Sequence, residues 1–321
     1  MAAGQVALYF AWSRPDEAAA PVETLEDRFP HLFELRRLFW PRFERFADPA
    51  RFDQGVGGFL DNIQLPNFAQ FAELAAEWTG KPVRQAERRV GDVLTPLDAA
   101  FLGGVETLVV ISFDSARTQQ RPSAVEMAAI RAFLDEPGHT LVVCPHHDIG
   151  EADDLPEAER LARQEVEFHH HGDPAIPARQ CFGDFGIAVL EGLGAPVRNR
   201  FGLRPAKLAD GSPAPLEIAA ELDRRGLMAG VTTFNLHPHL PQLERLGEGL
   251  AKLQVLARQP IDMEAPPHPF TAGGRRDFDA LLQSGAGVFP GQLLVCDTTT
   301  FSSTVGGLES LQRFWRNVVG S

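Results

Sequence analysis

Glu106-Thr107-Leu108-Val109-Val110-Ile111-Ser112, Thr140-Leu141-Val142-Val143-Cys144 and Gln292-Leu293-Leu294-Val295-Cys296 are three short apolar runs, rich in β-branched residues and bounded by breakers. Their hydrophobicity is continuous rather than alternating, which marks strands covered on both faces, as inside a parallel sheet. Val6 to Trp12, Leu227 to Phe234 and Leu253 to Ala257 are weaker strand candidates. Helical patterns alternate with the runs. Ser123 and Glu126 have capping-box spacing ahead of Met127, Ile130, Phe133 and Leu134, and Asp154 with Glu157 repeats the cap logic. Phe68 to Trp78, Phe182 to Leu193, Asp277 to Gln283 and Leu308 to Asn317 are further helix candidates. Strands separated by helical stretches predict an α/β fold, a doubly wound and mostly parallel sheet with helices on both faces. Ligands of such sheets sit beyond the carboxyl ends of the strands.

The chain has 321 residues, 44% hydrophobic and 23% charged, so disorder, collagen and coiled coil are excluded. No internal repeat or low-complexity linker divides it, which predicts one α/β domain over residues 1–321. Within it, residues 1–50 would supply a strand and a helical elaboration, and residues 51–321 the core. In the elaboration Phe29, Leu32, Phe33, Leu35, Leu38, Phe39, Phe43 and Phe46 interleave with Arg36, Arg37, Arg42 and Arg45, and Pro30 and Pro41 keep the helices short. No run approaches the ~18 apolar residues of a membrane span, and Met1-Ala2-Ala3-Gly4 lacks the basic start of a signal peptide. The expectation is a cytoplasmic protein with no membrane partner. Three cysteines, Cys144, Cys181 and Cys296, without CxxC spacing, fit a reducing compartment and exclude a four-thiolate zinc site. A net charge of −13 repels phosphate backbones, so nucleic acid is not expected. Arginine far outnumbers lysine, present only at Lys81, Lys207 and Lys252, as in a GC-rich bacterial genome. The 23 phenylalanines against one tyrosine supply core bulk without hydroxyls to satisfy. A homo-oligomer stays open.

Seven of the ten histidines fall in three groups: His146-His147-Asp148, His169-His170-His171-Gly172-Asp173 and His237-Pro238-His239. Clustered imidazoles and carboxylates are what a metal site requires. Neutral imidazole suits a divalent ion, zinc or iron first, and a neighbouring carboxylate completes the shell or orients a ring. The first group follows the run ending at Cys144 and belongs at the carboxyl edge of the sheet. Adjacent rings such as His146 and His147 point apart in extended backbone, whereas His237 and His239, or His169 and His171, share a side. The candidate ligands are therefore His146, His147, His169, His171, His237 and His239, with Asp148 as a further oxygen donor. Asp148 or Glu151 would accept the proton of an activated water. Glu167 and His170 have Glu-x-x-His spacing, but a di-iron site takes two such copies and the chain has one. Gly55-Val56-Gly57-Gly58 and Ala272-Gly273-Gly274-Arg275-Arg276 match neither dinucleotide nor Walker patterns, so no nucleotide cofactor is expected. Asp297-Thr298-Thr299-Thr300 reads as hydroxyls at a strand end or a helix cap, and Arg198, Arg200 and Arg204 as solvated arginines or an anion clamp.

Gly138-His139-Thr140-Leu141-Val142-Val143-Cys144 resembles the strand leading to the nucleophile of class I glutamine amidotransferases. Gly230-Val231-Thr232-Thr233-Phe234-Asn235-Leu236-His237-Pro238-His239 resembles their Gly-Val-x-Phe-His-Pro-Glu segment. The strand ending at Asp114, the Ser-x-x-Glu helix start, Cys296-Asp297-Thr298 and the closing Phe314-Trp315-Arg316-Asn317 are similar to the triad-lacking branch of that superfamily, which includes ThuA-like proteins. The resemblance implies a flavodoxin-like core, with Cys144 as nucleophile and His237 as its base. Departures matter here. Pro145 follows Cys144 and has no N–H for an oxyanion hole, and His239 stands where the family has glutamate. The two family positions fall beside two of the three histidine clusters, so the resemblance implies a thiol site remodelled into an imidazole site. Together these readings predict a metal-dependent hydrolase of a small polar amide or ester. The alternatives are a thiol hydrolase using Cys144 and His237, or a non-catalytic ligand-binding or interaction module.

Overall fold

The computed structural model describes residues 4–13, 65–115, 120–152, 155–172, 182–183, 185–303 and 308–320. In chain order these form β1 (Gln5–Ser13), α1 (Pro66–Thr79), β2 (Arg84–Val90), β3 (Val93–Leu94), α2 (Ala99–Leu102), β4 (Val105–Ser112), β5 (Asp114–Ser115) and α3 (Ala124–Leu134). Next come β6 (Thr140–Pro145), α4 (Glu157–His171), β7 (Phe182–Gly183), α5 (Phe185–Gly192), β8 (Val197–Leu203), β9 (Glu217–Ile218) and β10 (Leu240–Arg245). The remainder is α6 (Gly249–Lys252), β11 (Leu253–Pro260), β12 (Asp277–Ser284), β13 (Gln292–Cys296), α7 (Thr298–Phe301) and α8 (Leu308–Gly320).

Among the described residues nine strands make one sheet, ordered β3-β2-β1-β4-β6-β13-β12-β11-β9. The five strands from β2 to β13 are mutually parallel, and antiparallel strands flank them on both sides. The three runs that led the sequence reading are β4, β6 and β13 at its centre, where both faces are covered. Side chains of β1 alternate between two cores, as a strand's period of two requires. Val6, Leu8, Phe10 and Trp12 join α1 and α8, through Phe68, Phe71, Phe314 and Trp315. Ala7, Tyr9 and Ala11 join α3 and α5, through Ile130, Phe133, Phe185 and Val189.

Helix α3 starts where predicted, with the Ser123–Glu126 capping box complete. Other expectations are corrected. Asp277 to Gln283 is strand β12, because a short apolar run carries no reliable period and its pairing with β11 and β13 decides. Leu227 to Phe234 forms no strand, and its left-handed Gly226 and Gly230 break the chain into turns. Helix α4 begins after Pro156 with no side-chain cap. β2 escaped notice because its sequence, Arg84-Gln85-Ala86-Glu87-Arg88-Arg89-Val90, holds no apolar run. Asp154, the phenylalanine and arginine elaboration from Phe29 to Phe46, and Gly55 to Gly58 lie outside the described residues. Among the described residues no helix is long and apolar enough to cross a membrane.

Glu126 does more than cap. Its carboxylate also accepts the Leu97 N–H at 2.9 Å and pairs with the buried Arg88, which donates further to Tyr9 Oη at 3.1 Å and to the Arg121 carbonyl at 3.0 Å. Burial raises the Glu126 pKa, but the Arg88 hydrogen bond and the Ser123 and Leu97 N–H groups more than reverse this and hold it below the ordinary value. A depressed carboxylate contributes stability that is present above its unfolded pKa of about 4.3 and lost as pH falls through the folded value. Glu126→Gln is expected to cost about 3–5 kcal/mol in urea unfolding at pH 7, since Arg88 stays buried without its counter-charge. The gap to wild type should close as pH falls below about 4; a gap independent of pH would contradict the ion pair.

Candidate functional site

β6 and β13 are neighbours, so their carboxyl ends bring the segment after Pro145 against the segment after Cys296. His147 and Asp297 meet there, both fully buried, with His147 Nδ1 donating to Asp297 Oδ2 at 3.2 Å. The opposite nitrogen, His147 Nε2, lies 3.1 Å from His239 Nδ1. With Nδ1–H committed to the carboxylate, one proton between His147 Nε2 and His239 Nδ1 joins the two rings. The ring of His171, from the last turn of α4, is 5.4 Å from that of His239, and the ring of His147 is 5.2 Å from it.

Two further imidazoles flank this core. His146 stacks on His147 with centroids 4.6 Å apart, donates from Nδ1 to the His147 carbonyl at 3.0 Å and has Nε2 3.3 Å from Thr299 Oγ1. Half-buried His237 donates from Nδ1 to the His239 carbonyl at 2.7 Å and is held at its own N–H by Asn235 Oδ1 at 3.0 Å. Burial, with the neighbouring imidazoles of His237, His147, His171 and His146, pushes His239 well below the usual histidine pKa and keeps it neutral.

Asp297 is the counterweight. It accepts the Thr299 N–H at 2.7 Å as the cap of α7, and the Asn199 amide of β8 donates to it as well. Burial alone would raise its pKa, yet the His147 charge and hydrogen bond, His146 and Asn199 bring it down to about 2. β8 closes the site through an unusual backbone. Phe201 is a non-glycine residue at φ 64°, a strained conformation for a bulky side chain, and it bends the strand so that Gly202 faces His239. A Cβ on Gly202 would sit 3.2 Å from His239 Nδ1.

The spacing of the rings can be compared with that of an imidazole-held cation. A tetrahedral zinc ion about 2.0–2.1 Å from two ring nitrogens keeps those nitrogens ~3.3 Å apart and the ring centroids ~5 Å apart. The His147–His239 pair, with nitrogens 3.1 Å and centroids 5.2 Å apart, is close to those values, the His171 ring lies 5.4 Å from His239, and the Asp297–His147 pair has the carboxylate–histidine form that orients metal ligands. As these side chains stand, no group of three or more His, Cys, Asp or Glu among the described residues is placed to hold a metal ion. A cation would have to take the place of the proton shared by His147 and His239.

Not every expected residue joins. His169 is on the outer face of α4, 60% exposed, beside Glu165 at 3.7 Å, because consecutive helical residues diverge by about 100°. His170 turns to a separate group with Glu167 and His268, where its Nδ1 donates to the Pro266 carbonyl at 2.7 Å. Asp148 holds the loop, accepting the Phe182 N–H at 2.7 Å, and Glu151 lies 3.6 Å from Arg200 Nε. Cys144 points into the core, fully buried, and burial with the nearby Cys296 and Asp297 pushes its thiol up, so its environment opposes a thiolate nucleophile. Cys296 is buried likewise, and Cys181 and Asp173 lie outside the described residues. The arginines form no clamp: Arg200 faces Glu151 and Glu244, both at 3.6 Å, Arg204 lies 4.0 Å from Asp262, and Arg198 is exposed. Arg200 also lines a recess of about 530 Å³ with Gln242, Arg258, Phe270 and Arg275. Reading the sequence missed Asp297 as a histidine partner, although an aspartate just past a central strand was a usable signal. Asn199 and Gly202 gave none, since only the β8 bend brings them in.

In comparisons with known proteins, no family model matches the chain and no curated protein does. Asp297→Asn should cost about 3 kcal/mol in urea unfolding, because the new amide confronts the donors of His147 and Asn199. Unchanged stability would remove the carboxylate from its central place.

Proposed function

We propose that His147, His171 and His239 hold a divalent transition metal, zinc or iron, and that the protein uses it to hydrolyse a small polar amide or ester. The observation that carries the reading is the buried chain Asp297–His147–His239, in which a carboxylate fixes one imidazole so that its other nitrogen faces a second. Neutral, buried imidazoles are the ligating form, and a nitrogen donor set favours zinc, iron, nickel or copper over magnesium or calcium. A bound divalent ion would supply Lewis acidity and a water activated near neutral pH. The chain's own groups do the rest. Asp297 holds the His147 ring through Nδ1, Asn199 and the Thr299 N–H hold Asp297, and Gly202 leaves room for His239. Half-exposed Glu151 is the group proposed to accept a proton. Its Arg200 contact leads to the recess of about 530 Å³, a size that suits small-molecule sites.

The position at the carboxyl ends of β6 and β13 agrees with where open α/β sheets bind ligands. Taken as ordinals of the five parallel strands, the order β2-β1-β4-β6-β13 reads 2-1-3-4-5, which supports a flavodoxin-like, doubly wound core. It also supports the kinship with the triad-lacking amidotransferase-like branch. The burial of Cys144 favours imidazole over thiol chemistry within that kinship.

Elemental analysis of protein purified without added metal or chelator tests the reading. About one equivalent of zinc or iron is expected, lost in His147→Ala and His239→Ala and retained in His169→Ala. Asp297→Asn should weaken the metal ~10–100-fold, as loss of a carboxylate behind a ligating histidine does. Ester or amide hydrolysis should vanish on chelation and survive thiol alkylation. Protein that stays metal-free after reconstitution would overturn the proposal.

A further inference from the structure

Arg224 and Arg225 follow each other in the turns after β9, and Arg225 is partly buried. Its Nη1 donates to Thr140 Oγ1 at 3.3 Å and its Nη2 to the Pro137 carbonyl at 3.4 Å, both long contacts to neutral oxygens. Four other arginines drawn into the protein have carboxylates: Arg88 has Glu126, Arg163 has Glu167, Arg200 has Glu151 and Glu244, and Arg258 has Asp277 and Asp279. Among the described residues no carboxylate pairs with Arg224 or Arg225. Burial therefore acts on Arg225 without opposition and draws its pKa down. A guanidinium withdrawn from water without a counter-charge is costly, and a bound anion removes that cost.

The surroundings are built for such an anion. Arg225 lines a cavity of about 250 Å³ together with Arg224, Gln254, Gln283, Ser284 and Gln292, and among the described residues no aspartate or glutamate contributes to its wall. In a chain of net charge −13, a polar cavity with two arginines and no acid is a local reversal of sign. Its volume falls just below the ~300–1,000 Å³ of drug-sized sites and suits a small ion. Arginine's planar fork matches the oxygen pairs of phosphate, sulfate and carboxylate.

We infer that this cavity is a second binding site, for a small oxyanion or the phosphate or carboxylate end of a small metabolite. It is separate from the imidazole cluster. Thr140 opens β6 and Gln292 opens β13, so the cavity sits at the amino ends of the two strands whose carboxyl ends lead to His147 and Asp297. One pair of strands thus joins the two sites.

Isothermal titration of the full chain with inorganic phosphate, sulfate and acetate, at ionic strength fixed with sodium chloride, tests the inference. Saturable binding is expected, weakened at least tenfold in Arg225→Gln and less in Arg225→Lys, which keeps charge without the fork. Phosphate and sulfate above acetate would identify a tetrahedral group, and the reverse order a carboxylate. Gln254→Glu, which adds an acid to the wall, should abolish binding and keeps the test valid if Arg225→Gln does not fold. No saturable binding of any of the three anions, or binding unaltered in both Arg225→Gln and Gln254→Glu, would overturn the inference. Metal content should be unchanged in these variants, which separates this result from that of the imidazole site.

Discussion

A carboxylate with no exposure to water and a charge held by its surroundings is the constraint from which the histidine-bearing end of this molecule follows. Asp297 keeps its negative charge only because His147, Asn199 and the Thr299 N–H donate to it together. Those donors come from the segment after β6, from β8 and from α7, three parts of the chain remote in sequence. Satisfying one buried charge therefore fixes their mutual positions. The same bond selects the tautomer of His147 and aims its other nitrogen at His239.

Helix α4 serves two interiors at once. His171 faces the Asp297 side through His239, while Glu167 and His170 face a second buried group around His268. There the Phe270 N–H donates to His268 Nδ1 at 2.9 Å, and the Arg204 N–H donates to His170 Nε2 at 3.2 Å. A backbone donor thus holds one nitrogen of each ring, and His268 Nε2 lies 3.4 Å from Glu167 Oε1. Glu167 also accepts the Gly150 N–H at 2.6 Å and so anchors the loop that begins with His146 and His147. The strain at Phe201 is held in place by the same neighbourhood, where its ring packs on His268 and beneath Arg163.

Burial explains why the imidazoles rather than the thiol carry the proposed chemistry. Desolvation drives a histidine towards its neutral, ligating form and drives a cysteine towards its neutral, unreactive form. Cys144 and His239 are both buried, yet only one of them becomes more useful for it.

The amino-acid sequence by itself determined the centre of the sheet. β4, β6 and β13 announce themselves because strands covered on both faces must be apolar throughout, and α3 because its cap and apolar face are local. It also marked His146, His147, His169, His171, His237 and His239 as candidate ligands, since clustering survives without knowledge of the fold. The tertiary structure alone decided which of them meet. His169 differs from His171 only by its angle around α4, and that angle has meaning only once the helix is packed. β12 became a strand because β11 and β13 offered hydrogen bonds on both sides, which a short apolar run cannot reveal. Asp297 and Asn199 became partners of the histidines, and Arg225 a cation without a counter-charge, for the same reason. Local sequence encodes backbone preference and burial, whereas electrostatic partnership depends on distances between segments that only the folded chain sets.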